Sequence, residues 1–230
     1  MNVHFHFRQY LPVLIFLLAL SPFSASAIPT INCHCFRERS YDPARPAVAD
    51  PYILATTQNS FFATVFNVDK KTVVMKKQGG TSADDMWVAY WLASRYGLSA
   101  ENLLQAKRPG GVWRDAVAST GITTKAFEDR FSVELNAGAS GVRLAQEVVD
   151  GLLVGYKLIG VGELAEMRKG GATSQELIVA VLITGKTGQS PLKLHSEVKK
   201  GLKSWGTALN EAKIDTPRIQ AEVAALLRKK

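Results

Sequence analysis

Cysteine and histidine are scarce in this chain of 230 residues, which holds two of the first and four of the second. Both cysteines, Cys33 and Cys35, sit within one tripeptide, so no disulfide framework staples a fold of this length and the core must hold itself. His4 and His6 precede an apolar N-terminal run, which leaves His34 and His195 for the body of the chain. A Ser-His-acid triad has almost nothing to work with. Covalent haem attachment needs Cys-x-x-Cys-His, which is absent, and "GGTS" and "GGATS" lack the lysine and preceding strand of a Walker phosphate loop. Carboxylates cluster at Asp84-Asp85, Glu128-Asp129 and Glu163/Glu166, each in an expected first helical turn or on an exposed helix face. Dipole and solvation account for them there. No catalytic set is legible and no cofactor is implied.

Long apolar runs are missing beyond the N-terminus. Arg8 precedes LPVLIFLLAL (Leu11 to Leu20), Ser21-Pro22-Phe23 breaks that run, and Ala25-Ser26-Ala27 offers small residues to a signal peptidase. Residues 1–27 read as a secretory signal cleaved after Ala27, its apolar core too short to span a bilayer. The expectation is an exported protein, periplasmic or secreted, with no transmembrane segment after cleavage. Cleavage removes one basic residue and no acid, so the formal charge of +8 stays strongly basic. That balance suits an anionic envelope polymer or lipid as partner. Scattered lysines also solvate helix faces and helix ends, the simpler use of most of them.

What is present is a pattern written twice. "KKQGGTSADDMWVAYWLASRYG" from Lys76 and "MRKGGATSQELIVAVLITGKTG" from Met167 share a basic turn, a double glycine, a Thr-Ser pair, an acid and a long apolar run. Gly79-Gly80 align with Gly170-Gly171 at an offset of 91, and counting Ala172 as an insertion moves the offset to 92. Thr81-Ser82 then meets Thr173-Ser174, Lys107-Arg108 meets Lys199-Lys200, Trp113 meets Trp205, and Phe127 and Phe131 meet Ile219 and Val223. The spacing predicts two related multi-helix repeats. Glycine ends each basic helix, Ser or Thr caps the next, and the middle helix is apolar almost all round, so it belongs at the centre. The β-branched run Ile178 to Ile183 is compatible with a strand, but its capped counterpart favours helix for both.

The fold class is therefore all-α: short helices in an orthogonal, bundle-like arrangement. Its parts are a signal peptide (1–27), an extended Cys-His-Cys arm (28–50), a first helical repeat (51–132), a hinge (133–141) and a second repeat (142–230). Asp50-Pro51 is the expected start of the first helix, with Asp50 as its cap.

Three residue sets carry chemical potential. Cys33, His34 and Cys35 suit a soft metal ion, thiol exchange or a crosslink between chains. Ligand counting favours a disulfide, within one chain or linking a dimer, over a metal site, since His195 is the one further histidine of the exported chain. Trp87, Tyr90 and Trp91 occur in the first middle helix and not in the second, which makes them the candidate binding platform, although core filling explains them more simply. Trp113 and Trp205 occupy one place in both repeats and are packing residues, and His195 falls on the apolar Leu103.

The pair "GVWRDAVASTGI" and "LKSWGTALNEAKID" resembles Trp-containing turn-helix modules of secreted bacterial all-helical proteins of uncharacterised function. That resemblance implies an all-helical fold and carries no active site. The same pair faintly resembles helix-turn-helix DNA readers, but export makes nucleic acid a poor partner. The sequence points to a non-catalytic interaction module that binds a protein or an anionic envelope polymer. A redox or metal-binding role for Cys33, His34 and Cys35 is the alternative, and a nucleic-acid-binding helical module the third.

Overall fold

The computed structural model describes residues 36–121 and 129–228, all of them in the compact unit Asn32–Lys230. Residues 1–35, which include the expected signal peptide and the Cys33-His34-Cys35 tripeptide, and residues 122–128 lie outside the described residues. Among the described residues there are twelve α-helices, one 3-10 turn and no strand. In order they are α1 (Asp50–Val65), α2 (Lys70–Gln78), α3 (Ala83–Tyr96), α4 (Ala100–Ala106), α5 (Trp113–Ala118) and α6 (Arg130–Asn136). There follow α7 (Gly141–Gly155), α8 (Val161–Lys169), α9 (Ser174–Thr187), α10 (Pro191–Lys199), α11 (Trp205–Glu211), the 3-10 turn (Thr216–Arg218) and α12 (Ile219–Arg228). The run Ile178 to Ile183 is helix α9, buried throughout.

Local chemistry sets the boundaries. Ser82, Ser99, Ser140, Ser190 and Ser204 each accept a backbone N–H of the following helix, and Thr173 forms a full capping box with Glu176. Such a cap satisfies donors that the first turn leaves without partners, and each contributes about 1 kcal/mol. Gly97 and Gly188 end α3 and α9 in the left-handed conformation, at φ 67° and 71°. The double glycines divide their labour: Gly79 and Gly170 close the helix, and Gly80 and Gly171 take the positive φ.

The cap positions revise the expected alignment. Ser82 and Thr173 stand 91 apart, as do Ser99 and Ser190, and Gly97 and Gly188. The spacing becomes 92 only at Trp113 and Trp205, which open α5 and α11. Ala172 is thus not the extra residue. The spacing of 91 still holds where α4 and α10 begin, so the added length falls between those starts and the tryptophans, and His195 matches Leu104 rather than Leu103.

Spatial order departs from chain order. Helix α7 packs chiefly on α3 and α6, whereas α1 packs chiefly on α9 and α12 and also on α2 and α11. The long first helix of each half is seated in the other half. The buried apolar side chains accordingly form one cluster, from Ala49 to Val223.

Three sequence expectations are corrected here. The arm is not extended where it is described: turns at Arg45, Val48 and Asp50 fold residues 42–50, and Ala49 is fully buried. Nor does Asp50 cap its own helix. Ala49 holds that position without a side-chain bond, and the Asp50 carboxylate accepts the Trp205 and Gly206 N–H groups at 3.1 and 2.7 Å. Pro46 reinforces the contact, its carbonyl accepting from the Ser204 hydroxyl at 2.7 Å. The stretch 133–141 expected as a hinge is helical to Asn136, leaving residues 137–140 as the link.

Candidate functional site

The aromatic residues singled out from the sequence lie together on α3 but differ in exposure. Trp87 is 1 % exposed, and Phe61 and Phe62 of α1 with Phe66, the residue that follows it, surround the indole with ring centroids 4.8 to 6.3 Å away. It fills core, and any platform on this face falls to Tyr90 and Trp91. Tyr90 is half-buried against Phe62 and Phe66, its hydroxyl 3.5 Å from Glu101, which pairs with Lys76 at 2.6 Å. Burial, then the Glu101 charge, raises the Tyr90 phenol above its ordinary value. Trp91 is half-buried, with the Arg95 guanidinium 4.2 Å over its ring and Phe131 at its edge. Its indole nitrogen is buried without a hydrogen-bond partner. Arg95 also pairs with Asp129, the cap of α6, so the Trp91 face is already occupied by a cation from its own chain.

Trp113 and Trp205 are buried, as expected for packing residues. The Trp113 indole N–H donates to Asp85 at 2.8 Å, beside Gly141, the first residue of α7. His195 is buried with Nε2 4.0 Å from Glu176, which is engaged in the α9 capping box. Among the described residues no group of His, Cys, Asp and Glu is placed to hold a metal ion. No helix among them is long and apolar enough to cross a membrane.

A more unusual cluster was missed from sequence, and its signal was the polar run Thr56-Thr57-Gln58-Asn59-Ser60 inside an otherwise apolar helix. All five are buried. Ser60 bonds back to the Thr56 carbonyl, Gln58 accepts from Gln175 of α9 at 3.0 Å, and the Thr57 hydroxyl has no partner. Two lysines of α2 converge on this face. Lys70 donates to Thr56 Oγ1 at 2.7 Å and Lys77 to Asn59 Oδ1 at 2.6 Å. Thr56 and Asn59 are one helical turn apart, so both ammonium groups reach one patch.

Neither lysine has a carboxylate in contact among the ion pairs of the described residues. Burial lowers Lys70 below its ordinary value and pushes Lys77 down to about 8, the Asp84 charge opposing the latter. Burial and then Asp85 raise the Asp84 carboxyl in turn.

The corresponding place in the second half is built differently. Arg168, 91 positions after Lys77, forks onto Asp150, 91 after Asn59, with its shortest bond 2.6 Å. It also donates to the Ala172 carbonyl at 2.9 Å and the Ser174 hydroxyl at 3.0 Å. A permanently charged, bidentate pair holds that position in the second half, and an amine on an amide holds it in the first.

The chain matches no protein-family model, no curated protein and no solved structure.

Proposed function

We propose that this chain is an exported, non-catalytic binding module of the cell envelope or secretome, built from two copies of one six-helix unit, with an anionic envelope polymer as its partner. The observation that carries the reading is the use made of the acidic side chains. Asp50, Asp69 and Asp129 cap helices, Glu176 completes a capping box, Glu163 accepts from the start of α10, and Asp85 holds an indole. Glu134, Glu147, Asp150 and Glu222 are engaged in ion pairs. Acids spent on architecture leave the chain's net basic charge to the outer surface, where Arg108, Lys193, Lys200 and Lys213 are exposed. A surface of that kind attracts a polyanion without a shaped pocket. The first five helix starts of each half recur at a spacing of 91 to 92 residues, which supports the two-copy part of the reading.

The test is retention of the exported chain on an immobilised anionic polysaccharide across a salt series. Retention at 50 mM salt that is lost by several hundred millimolar is the expected result. Passage through the matrix at low salt overturns the polymer reading, and turnover of a small substrate by the same preparation overturns the non-catalytic one.

A further inference from the structure

The two halves settle the charges at one helix crossing differently. At the spacing of 91, Thr56 and Asn59 of α1 match Glu147 and Asp150 of α7, and Lys70 and Lys77 of α2 match Val161 and Arg168 of α8. The second half sets its charges against one another. Arg168 forks onto Asp150, and Glu147 is held by Arg143 and Arg130. In the first half both acids give way to uncharged side chains, while the cations rise from one to two. Asp84 of α3 acts on Lys77 by charge without touching it, and no acid acts on Lys70.

Geometry draws the two ammonium groups together. Lys70 and Lys77 stand two turns apart on one face of α2, about 10 Å along its axis. Their bonds end on Thr56 Oγ1 and Asn59 Oδ1, about 4.5 Å apart along α1. Like charges thus converge on two side chains that are 5 % and 2 % exposed. An ammonium carries three donors, and each lysine uses one of them here. The Thr56 hydroxyl accepts from Lys70 and has its own hydrogen left to donate. Both lysines are only half-buried, so the crossing is approached from solvent and an enclosed cavity is not needed.

We propose that Lys70 and Lys77, with the Thr56 hydroxyl, form a binding site for a phosphate group, free or carried as a monoester. A dianion matches the two ammonium charges, and its several oxygens let one group accept from both lysines and from Thr56. It does for the first half what Asp150 does for the second. A carboxylate brings half the charge, and Asp84 opposes any anion that approaches. The site is separate from the diffuse attraction of a polyanion to the outer lysines and does not depend on it.

The experiment titrates the full chain, carrying 13C-labelled lysines, with inorganic phosphate at pH 7 and fixed ionic strength, and follows the side-chain shifts by NMR. Lys70 and Lys77 are expected to saturate together, at half-saturation on the order of 1 mM, while the exposed Lys200 drifts without saturating. Shifts at Lys70 and Lys77 that follow Lys200 mean an adventitious ion only and overturn the proposal. Acetate is expected to bind at least about tenfold more weakly, and equal saturation by acetate overturns the phosphate assignment. Glucose 6-phosphate separates the sources: tighter binding than inorganic phosphate assigns a carried group, and weaker binding assigns the free ion. Two substitutions copy the second half. Asn59→Asp supplies its carboxylate and should abolish saturation, and Lys70→Val should weaken it at least about tenfold. Unchanged half-saturation in either variant, with the circular dichroism of the wild type, contradicts the site. If neither variant folds, the wild-type comparisons with Lys200 and acetate decide alone.

Discussion

Replacing Asp50 tests how the two halves are joined. Its carboxylate accepts the N–H groups of Trp205 and Gly206, so a residue at the start of α1 caps α11, 155 positions away. In Asp50→Ala, two backbone donors lose their acceptor beside Trp205, which is 3 % exposed. Loss of an N-cap costs about 0.5–2 kcal/mol, and leaving a buried donor unsatisfied costs about 1–3 kcal/mol. We expect a loss of about 2 kcal/mol, which lowers Tm by roughly 4–8 °C at this chain length. Asp50→Asn keeps an acceptor oxygen, and burial raises the Asp50 carboxyl, so charge adds little there. That variant is expected to lose less than about 1 kcal/mol. The sign with pH follows. The folded carboxyl titrates above 3.8, so the wild type loses stability relative to Asp50→Asn as pH rises through the folded value. Urea unfolding of both variants beside Asp69→Ala, a local cap on Lys71, supplies the comparison. If Asp50→Ala costs no more than Asp69→Ala, the long-range cap is not holding the halves together.

Four further outcomes are expected. Because α1 and α7 are each seated in the opposite half, circular dichroism and tryptophan fluorescence should report one coincident urea transition; two separated transitions refute the exchange. Gly206→Ala places a methyl 2.6 Å from the Pro46 carbonyl oxygen and 3.1 Å from the Tyr41 ring, for a loss of about 1–3 kcal/mol. Gly185→Ala meets only the flexible tip of Leu226 at 2.6 Å and should cost clearly less; equal losses in thermal melts count against the docked arm. Lys213 holds φ 55°, and Gly121, 92 positions earlier, holds φ 76°, so Lys213→Gly should stabilise the chain by about 0.5–1 kcal/mol in urea titration, and destabilisation contradicts this. Finally, Lys77 titrates at about 8 when folded against 10.5 ordinarily, so folding disfavours its charge. Wild-type stability relative to Lys77→Met should rise with pH between those values, and a flat difference refutes the burial argument.

The helices and their punctuation were legible in the residues alone. Ser82, Ser99, Ser190, Gly97 and Gly188 act within a few residues of themselves, through caps whose geometry is local, and they are legible for that reason. Trp113 and Trp205 were likewise legible as core, since an indole at a helix start in both halves has little else to do. Only the tertiary structure decided which half each long helix joins, because apolar faces on α1 and α7 suit either partner and periodicity carries no address. It also decided that Asp50 serves α11 rather than α1, and that Trp87 lies beneath the phenylalanines of α1 instead of on a surface. The polar run Thr56 to Ser60 was visible in the sequence, but its meaning depended on two lysines reaching it from α2. A side chain's protonation is set by what surrounds it in space, and for Lys77 those neighbours are brought together only when the helices cross.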